Sequence, residues 1–276
     1  MLQKFIPHLL ITTLIGRLAK SENYFIKTFL INSFLYIYKP DLTEAIHSDI
    51  KKYNSYNEFF TRNLKDRTID ESDAVFISPV DGEIVDHRHL REGMLLQAKK
   101  HKYSLKELLG EKHIYNFDKG YFITIYLAPT DYHRIHCPYE AEIKNSFHLG
   151  SSLFSVNKKA QEKIPKLYVK NERSVLYLSS HNIKYALVSV GASVVGSIVP
   201  FWSSAHIDKR KDLIEEWNIG PGEEKSLVKK GDELAHFKMG STVILVFEDS
   251  KKLDLDSLKE KKRVKFGSKL ISIKNL

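Results

Sequence analysis

A serine at the start of an apolar run is the first residue of this sequence that could do chemistry. Ser241 stands in the triplet Gly240-Ser241-Thr242, directly before residues 243–247, whose types favour a β-strand. The triplet is typical of a turn, because glycine allows positive φ and the two hydroxyls bond to nearby backbone. A nucleophilic serine is the other interpretation, and it requires a base and an orienting group elsewhere in the chain.

Two histidines are candidate bases. His133 and His136 lie in the segment DYHRIHCP, immediately after a predicted strand, and a neutral imidazole near pH 7 can accept a hydroxyl proton. Zinc ligation and solvated loop positions are the alternatives. For zinc, a third ligand at a suitable spacing is missing, and Pro138 argues against a helix that would place both rings on one face. Asp81 is the candidate carboxylate that would orient a base.

Short β-strands must position these residues. From about residue 72 onward, alternating or β-rich runs are separated by turns, which predicts a mainly antiparallel β core of barrel-like or sandwich-like form. We expect a tight hairpin at Asp81-Gly82 and a short helix over residues 209–217. With helices predicted before the core, the fold class is α+β. The predicted strands lie in AVFISPVDGEIVDH, YFITIYLAP, AEIKNSFHL, RSVLYLSS, KYALVSVGASVVGSIV, STVILVF and RVKFGSKLISI.

The first forty residues contain two apolar patches broken by a few charges. The uncharged run at residues 5–16 is too short to span a bilayer, which takes about 20 apolar residues. Apolar residues at helical spacing favour two amphipathic helices in a membrane interface, with packing on the protein's own core or on a second subunit as the alternative. A signal peptide is less favoured, because no small-x-small site follows and apolar character resumes at Phe25. We therefore predict a helical, membrane-associating segment at 1–70 and a β-rich domain at 71–276.

Composition narrows the class of partner. Lys and Arg number 43 against 34 Asp and Glu, and the formal charge of +9 favours an anionic partner such as a lipid surface or a nucleic acid. The basic residues are scattered without a nucleic-acid motif, so we expect no nucleic-acid partner. The single cysteine, Cys137, excludes an intrachain disulfide and fits a reducing compartment. Zinc-finger spacings, phosphate-binding glycine loops and internal repeats are absent from the sequence.

A series of motifs is spread over most of the chain. They are FFTR at 59–62, SPVDG at 78–82, DYHRIH at 131–136, LFSVN at 153–157, NER at 171–173, VGA at 190–192, VGSI at 195–198 and GSTVI at 240–244. Each motif alone is weak support, but their order and spacing together resemble the bacterial phosphatidylserine decarboxylases, which are pyruvoyl-dependent and self-processing. The departures are Met239 where Leu or Phe is usual, Ala235 where Gly is common and Cys137 where Met is frequent. None of them removes a reacting group.

The resemblance implies a triad that acts on the protein's own backbone. Asp81 would hold His136 in the useful tautomer. His136 would remove the hydroxyl proton of Ser241, so that its oxygen attacks the carbonyl carbon of Gly240. Elimination of the resulting ester would split the chain between Gly240 and Ser241 and leave an N-terminal pyruvoyl group made from the serine.

The resemblance also implies the reaction, which is decarboxylation of phosphatidylserine to phosphatidylethanolamine and CO2 by a carboxy-lyase. The mature enzyme would consist of a β chain, residues 1–240, and an α chain, residues 241–276. The pyruvoyl group made from Ser241 would form a Schiff base with the substrate amine, and we expect neither a metal nor pyridoxal phosphate. By resemblance, His133 would protonate the carbanion and Ser155 would contact the substrate, an ordinary turn serine being the alternative.

The implied partners are phosphatidylserine, an anionic membrane surface and a second αβ unit in a homodimer, at the cytoplasmic side of the cell membrane. Each basic residue near that surface would add ~1 kcal/mol to binding. Two other hypotheses stay open. A pyruvoyl decarboxylase of a soluble amine acid is disfavoured by the apolar N-terminus, and a non-maturing membrane scaffold by the joint presence of Asp81, His136 and Ser241. Metal-dependent hydrolysis through His133 and His136 ranks lowest, for want of further ligands.

Overall fold

A computed structural model of the chain describes residues 15–97, 101–110, 115–117, 119–150, 152–180, 183–192, 198–201, 215–216, 226–238 and 241–274. Within these ranges the helices are few and mostly short, and residues 15–19 are also helical. The helices are α1 (Tyr24–Tyr38), α2 (Tyr56–Phe60), α3 (Leu105–Leu109), α4 (Lys158–Lys163) and α5 (Leu167–Lys170).

Strands dominate the rest of the chain. They are β1 (Val75–Ile77), β2 (Gly82–His89), β3 (Met94–Gln97), β4 (His101–Ser104), β5 (Tyr121–Leu127), β6 (Arg134–His136), β7 (Ala141–Leu149), β8 (Arg173–Ser180), β9 (Ile183–Gly191), β10 (Ile198–Pro200), β11 (Glu215–Glu216), β12 (Leu227–Val228), β13 (Glu233–Phe237), β14 (Ser241–Phe247), β15 (Leu253–Asp254), β16 (Arg263–Val264) and β17 (Lys269–Ile273).

The main sheet has the order β11-β7-β8-β9-β14-β5-β2-β16, with β12 also paired to β7, and its neighbours are antiparallel. This confirms the predicted α+β class and antiparallel core. The end strands β11 and β16 do not pair with each other in the described part of the chain, so the sheet is open and the barrel-like form is wrong. Its central strands are continuous apolar runs because both faces are buried, as in β14 with Val243 on one face and Ile244 on the other.

A small sheet covers one face of the main sheet and carries the histidine segment. It has the order β10-β13-β6. Ile135, Leu234 and Phe237 of this small sheet belong to the same buried cluster as Val243 of β14. The packing of these apolar residues therefore brings the segment around β6 against the face that carries Val243.

The hairpin predicted at Asp81-Gly82 is wrong. β1 pairs with β17, and β2 pairs with β5 and β16, so the two strands flanking the dipeptide do not pair with each other. Gly82 is required by close packing: a Cβ there would lie 2.6 Å from the carbonyl oxygen of Tyr126. Of the helix predicted over 209–217, residues 215–216 form β11 instead, and the remainder lies outside the described residues.

Helix α1 packs on the protein by one face. Asn23 caps it by accepting hydrogen bonds from the backbone N–H groups of Phe25 and Ile26. Ile31 and Phe34 are buried, and the Phe34 ring packs edge-on against aromatic rings of α2. The alternative of packing on the protein's own core thus holds for this face of the helix. None of the helices among the described residues is long and apolar enough to cross a membrane.

Candidate active site

Ser241 is the first residue of β14, the strand in the middle of the main sheet. It lies opposite Gly191 of β9 on one side and opposite Leu127 of β5 on the other. By the two-residue alternation of a strand, its side chain is on the face covered by the small sheet, and it is fully buried. Met239 and Gly240 lie outside the described residues, so the predicted cleavage bond is described only from its serine side.

His133 is the histidine that contacts Ser241. Its Nδ1 lies 3.2 Å from the Ser241 Oγ. The imidazole is fully buried, and its ring stacks on Phe60 with a centroid distance of 4.2 Å and an interplanar angle of 24°. We assign the proton of the neutral ring to Nε2, because Nδ1 then accepts from the serine hydroxyl.

The surroundings of His133 oppose a positive charge on its ring. Burial, helped by the nearby Arg62 cation, lowers the pKa of His133 to about 3. The backbone carbonyl groups of Pro129 and Ala128 raise this pKa. Among the described residues, however, no acceptor meets both the distance and the angle of a hydrogen bond from Nε2. The ring is therefore neutral at pH 7.

His136 does not contact Ser241, contrary to the predicted pairing. Its Nδ1 donates to the Gly231 carbonyl at 2.7 Å, and its Nε2 accepts from the Tyr132 hydroxyl at 2.9 Å. Burial lowers its pKa, whereas the Gly231 carbonyl and the charge of Glu233 raise it. The reason for its placement is local, since His133 and His136 are three residues apart in an extended segment and therefore point to opposite sides.

Asp81 contacts neither histidine directly. It binds Arg67 through two hydrogen bonds, of 2.6 and 3.3 Å, and accepts a third from the Phe266 backbone N–H at 2.7 Å. The Phe266 ring stacks on His136 with a centroid distance of 3.7 Å. The structure therefore brings Asp81 and His136 into one cluster through Phe266, and Ser241 and His133 into another.

A comparison with family models shows which family the chain belongs to. A model described as phosphatidylserine decarboxylase matches residues 56–272. The chain belongs to the phosphatidylserine decarboxylase family. A second model, described as PSD, matches residues 1–39, so the N-terminal segment also resembles known sequences. The resemblance seen in the motifs is confirmed.

Curated bacterial relatives in this family align with most of the chain, and those described here carry the name phosphatidylserine decarboxylase proenzyme. The protein of Alteromonas mediterranea is 40% identical over 252 residues, which cover 90% of this chain and 78% of the relative. That of Pseudoalteromonas translucida is 40% identical over 260 residues, covering 92% and 90%. That of Idiomarina loihiensis is 37% identical over 277 residues, covering 99% and 95%.

Ser155 lies in a loop that is tied to the strand beside Ser241. The Asn171 side chain donates to the carbonyls of Phe154 and Gly191, both at 2.8 Å, and accepts from the Phe154 N–H. Gly191 is the residue opposite Ser241 in the β9–β14 ladder. Ser155 itself is half-buried and accepts a long hydrogen bond from its own loop. In this phosphatidylserine decarboxylase family member, the loop is thus anchored near the predicted reacting residue.

Sequence reasoning missed the roles of three residues around this site. Phe60 stacks on His133, Arg62 acts on its charge, and Asn171 anchors the Ser155 loop. The available signal was their membership of the FFTR and NER motifs. In the described part of the chain, no group of three or more His, Cys, Asp or Glu side chains is arranged to hold a metal ion.

Proposed function

We propose that this chain is a self-processing phosphatidylserine decarboxylase, which converts phosphatidylserine to phosphatidylethanolamine and CO2 with a pyruvoyl group made from Ser241. The observation that carries the proposal is the buried 3.2 Å contact between the His133 Nδ1 and the Ser241 Oγ at the start of β14, in a member of this family. The proenzyme names of the relatives support self-processing over a non-maturing scaffold.

Maturation converts the peptide bond before Ser241 into an ester. As His136 accepts the hydroxyl proton, the serine Oγ bonds to the carbonyl carbon of Gly240 and the peptide C–N bond breaks, which frees the serine amine. Loss of the Ser241 α-proton then breaks the Cβ–Oγ bond, giving a Gly240 carboxylate and a dehydroalanine. Uptake of water and release of ammonia leave the pyruvoyl group.

Basicity is the reason to keep His136 as the base of maturation. An imidazolium at His133 would be fully buried beside Arg62, which makes it a weak base. At His136 the Gly231 carbonyl holds the proton on Nδ1, so Nε2 keeps its lone pair. To act, Nε2 must exchange the hydroxyl of Tyr132 for that of Ser241, and Asp81 would hold the ring in position through Phe266.

Decarboxylation uses the histidine that contacts residue 241. The pyruvoyl group, once formed, supplies a sink for the electrons released as CO2 leaves. His133 would take a proton from the substrate ammonium and return it to the carbon that has lost CO2, a role that its contact with Ser241 supports. An anionic head group beside it would raise its pKa, because negative charge favours the imidazolium. Ser155 is the proposed substrate contact from the anchored loop.

The proposed chains would remain associated after cleavage. All seven residues of β14 pair with β9 on one side and with β5 on the other. Among the other strands of residues 241–276, β17 pairs with β1 and β16 pairs with β2, while β15 pairs with β17. The α chain therefore stays as an integral part of the sheet and keeps residue 241 beside His133.

The reaction is tested with the purified protein and phosphatidylserine vesicles. We expect phosphatidylethanolamine and CO2 to form and activity to survive a metal chelator. Phenylhydrazine should abolish activity by condensing with the carbonyl, which adds its mass less one water to the 241–276 chain. Loss of activity with the chelator would favour metal-dependent chemistry. Turnover of free serine but not of the lipid would favour the soluble amine-acid alternative.

We propose that the outward face of α1 docks the enzyme on the membrane. Phe25, Phe29 and Tyr36 are 79%, 70% and 83% exposed, and at about 100° per residue they fall within about 40° of one another on the helix. Ile31 and Phe34 occupy the opposite, buried face. An exposed aromatic stripe is what an interfacial helix requires. The cytoplasmic location and the homodimer of αβ units stay predictions.

Membrane docking is tested by changing this stripe. Phe25→Ser/Phe29→Ser/Tyr36→Ser is expected to weaken partition to anionic vesicles by roughly 100-fold, because each aromatic ring contributes apolar burial. Self-cleavage should be unchanged, since Phe34 and its contact with Phe60 remain. Deletion of residues 1–40 is a poorer test because it removes that contact. Leu227→Ser, at a 70% exposed position of β12, is the control and should bind normally. Normal vesicle binding by the triple variant would contradict membrane docking and favour contact of the stripe with another subunit.

A further inference from the structure

Arg62 is a buried charge that the mechanism above does not use as a reacting group. It is 4% exposed, its Nη2 donates to the Thr130 carbonyl at 3.0 Å, and its cation lies 5.8 Å from the Phe59 ring. Within the part of the chain that the structure describes, its buried Nη1 has no hydrogen-bond partner, and none of the ion pairs includes Arg62. An unpaired buried charge is costly, so its presence indicates a ligand of opposite charge.

Arg62 lines a cavity of about 180 Å³ next to the cluster of Asp81 and His136. Asp81 and Tyr132 form part of the wall, and Tyr132 is the hydroxyl bound to His136. Arg62 also acts on the charge of His133, which contacts Ser241. The guanidinium is therefore close to the groups assigned to both reactions.

The carboxylates of the cavity wall already have donors. Asp81 and Glu44 bind Arg67, Glu44 also binds Lys265, Asp131 binds Arg263, and Asp41 accepts from the Thr43 N–H. Three of these carboxylates attract the Arg62 cation electrostatically but form no ion pair or hydrogen bond with it. They are Asp41, Asp81 and Asp131. Among the described residues that line the cavity, Arg62 is the cation without a bonded carboxylate. An anionic group of a ligand is therefore what would pair the buried Arg62 guanidinium.

The cavity also lies next to the proposed membrane-docking helix. Asp41, Glu44 and Ala45 line it, and they follow directly after α1, which ends at Tyr38. A lipid held at the outward face of α1 would thus present its head group near this end of the helix. The anionic group nearest to the cavity would then be the lipid head group.

We propose that Arg62 binds the phosphodiester of the substrate head group, an inference that rests on the proposed function. The serine lipid has two anionic groups, a carboxylate and a phosphodiester. They differ in the reaction, because only the carboxylate is lost. A guanidinium on the carboxylate would stabilise the charge that must be lost as CO2, and would slow that step. The phosphodiester keeps its charge throughout the reaction, so a bond to it stabilises the bound substrate and the transition state equally. Arginine's planar fork suits phosphate oxygens.

The test compares Arg62→Gln and Arg62→Lys with the wild-type protein. For Arg62→Gln we expect normal self-cleavage, a KM for short-chain phosphatidylserine raised roughly 10- to 100-fold, and kcat within about 3-fold of wild type. The affinity for short-chain phosphatidylethanolamine, which keeps the phosphodiester and lacks the carboxylate, should fall by the same factor. Calorimetric titration measures this affinity. Arg62→Lys should recover part of the affinity, because it keeps the charge and loses the fork.

Arg263→Gln is the matched control. Arg263 is 58% exposed in its side chain and already paired with Asp131, so the same substitution should leave both affinities unchanged. Weaker binding of the serine lipid alone would assign Arg62 to the carboxylate and overturn the proposal. Two other results would indicate that Arg62 has a structural role instead. One is unchanged affinities, and the other is lost self-cleavage with lower thermal stability in both Arg62 variants. A wild-type protein that binds the ethanolamine lipid through Arg62 without decarboxylating would refute the proposed function and not this site.

Discussion

The purified protein is expected to give two masses under denaturing conditions, from chains that meet between Gly240 and Ser241. The C-terminal chain should be lighter than the plain 241–276 peptide by one ammonia, because the serine amine is lost when the pyruvoyl group forms. Ser241→Ala should stay a single chain, since it has no hydroxyl to attack the preceding carbonyl. Intact mass spectrometry measures both results, and decarboxylation should fall to background in the variant.

Thr242→Ala is the matched control for this experiment. Thr242 is also a fully buried hydroxyl residue, one position further along β14, where the strand alternation turns it to the opposite face. Its loss should leave cleavage intact. A wild-type protein that remains a single chain would contradict self-processing and return the chain to a membrane-associated β domain.

Separate effects of the two histidines are the second large prediction. His133→Asn should still be cut, but its decarboxylation should fall by about 10²- to 10⁴-fold, because no group next to residue 241 would then carry the proton. His136→Asn should remain uncut, because the base of maturation is lost while the amide can still donate to the Gly231 carbonyl. Mass spectrometry reports cleavage, and CO2 release reports the second reaction.

The pair of variants also tests the opposite assignment. If His133→Asn stays uncut and His136→Asn matures, the 3.2 Å contact is itself the maturation contact and the proposed roles must be exchanged. His236→Asn is the control, since His236 is a partly exposed residue of β13 that pairs with Glu233 and has no part in either step. It should mature and decarboxylate normally.

The strands were predictable where one local pattern determined them. AEIKNSFHL and RSVLYLSS coincide with β7 and β8, and STVILVF with β14, because β-rich runs bounded by turn residues admit one local structure. The predicted hairpin at Asp81-Gly82 failed because pairing is not local. The partner of β2 is β5, about forty residues further along the chain, and Gly82 serves the close contact with Tyr126.

The site was predictable in its residue types and not in its contacts. His133 and His136 are three apart in an extended segment, so alternation alone indicates that their side chains point to opposite sides of that segment. Which of the two rings contacts Ser241 in the folded chain depends on how the small sheet packs on the main sheet. The Arg67 and Phe266 partners of Asp81 depend on the same long-range packing.

By itself, the sequence determined the family, the antiparallel strands and the residue types able to self-process, because each follows from local pattern or from the order of short motifs. The tertiary structure alone decided that His133 touches Ser241, that Phe266 links Asp81 to His136, and that Arg62 is buried without a counter-ion among the described residues. The physical reason is that these contacts join residues far apart in the chain. Such contacts arise from the packing of sheets and helices, which local periodicity does not encode.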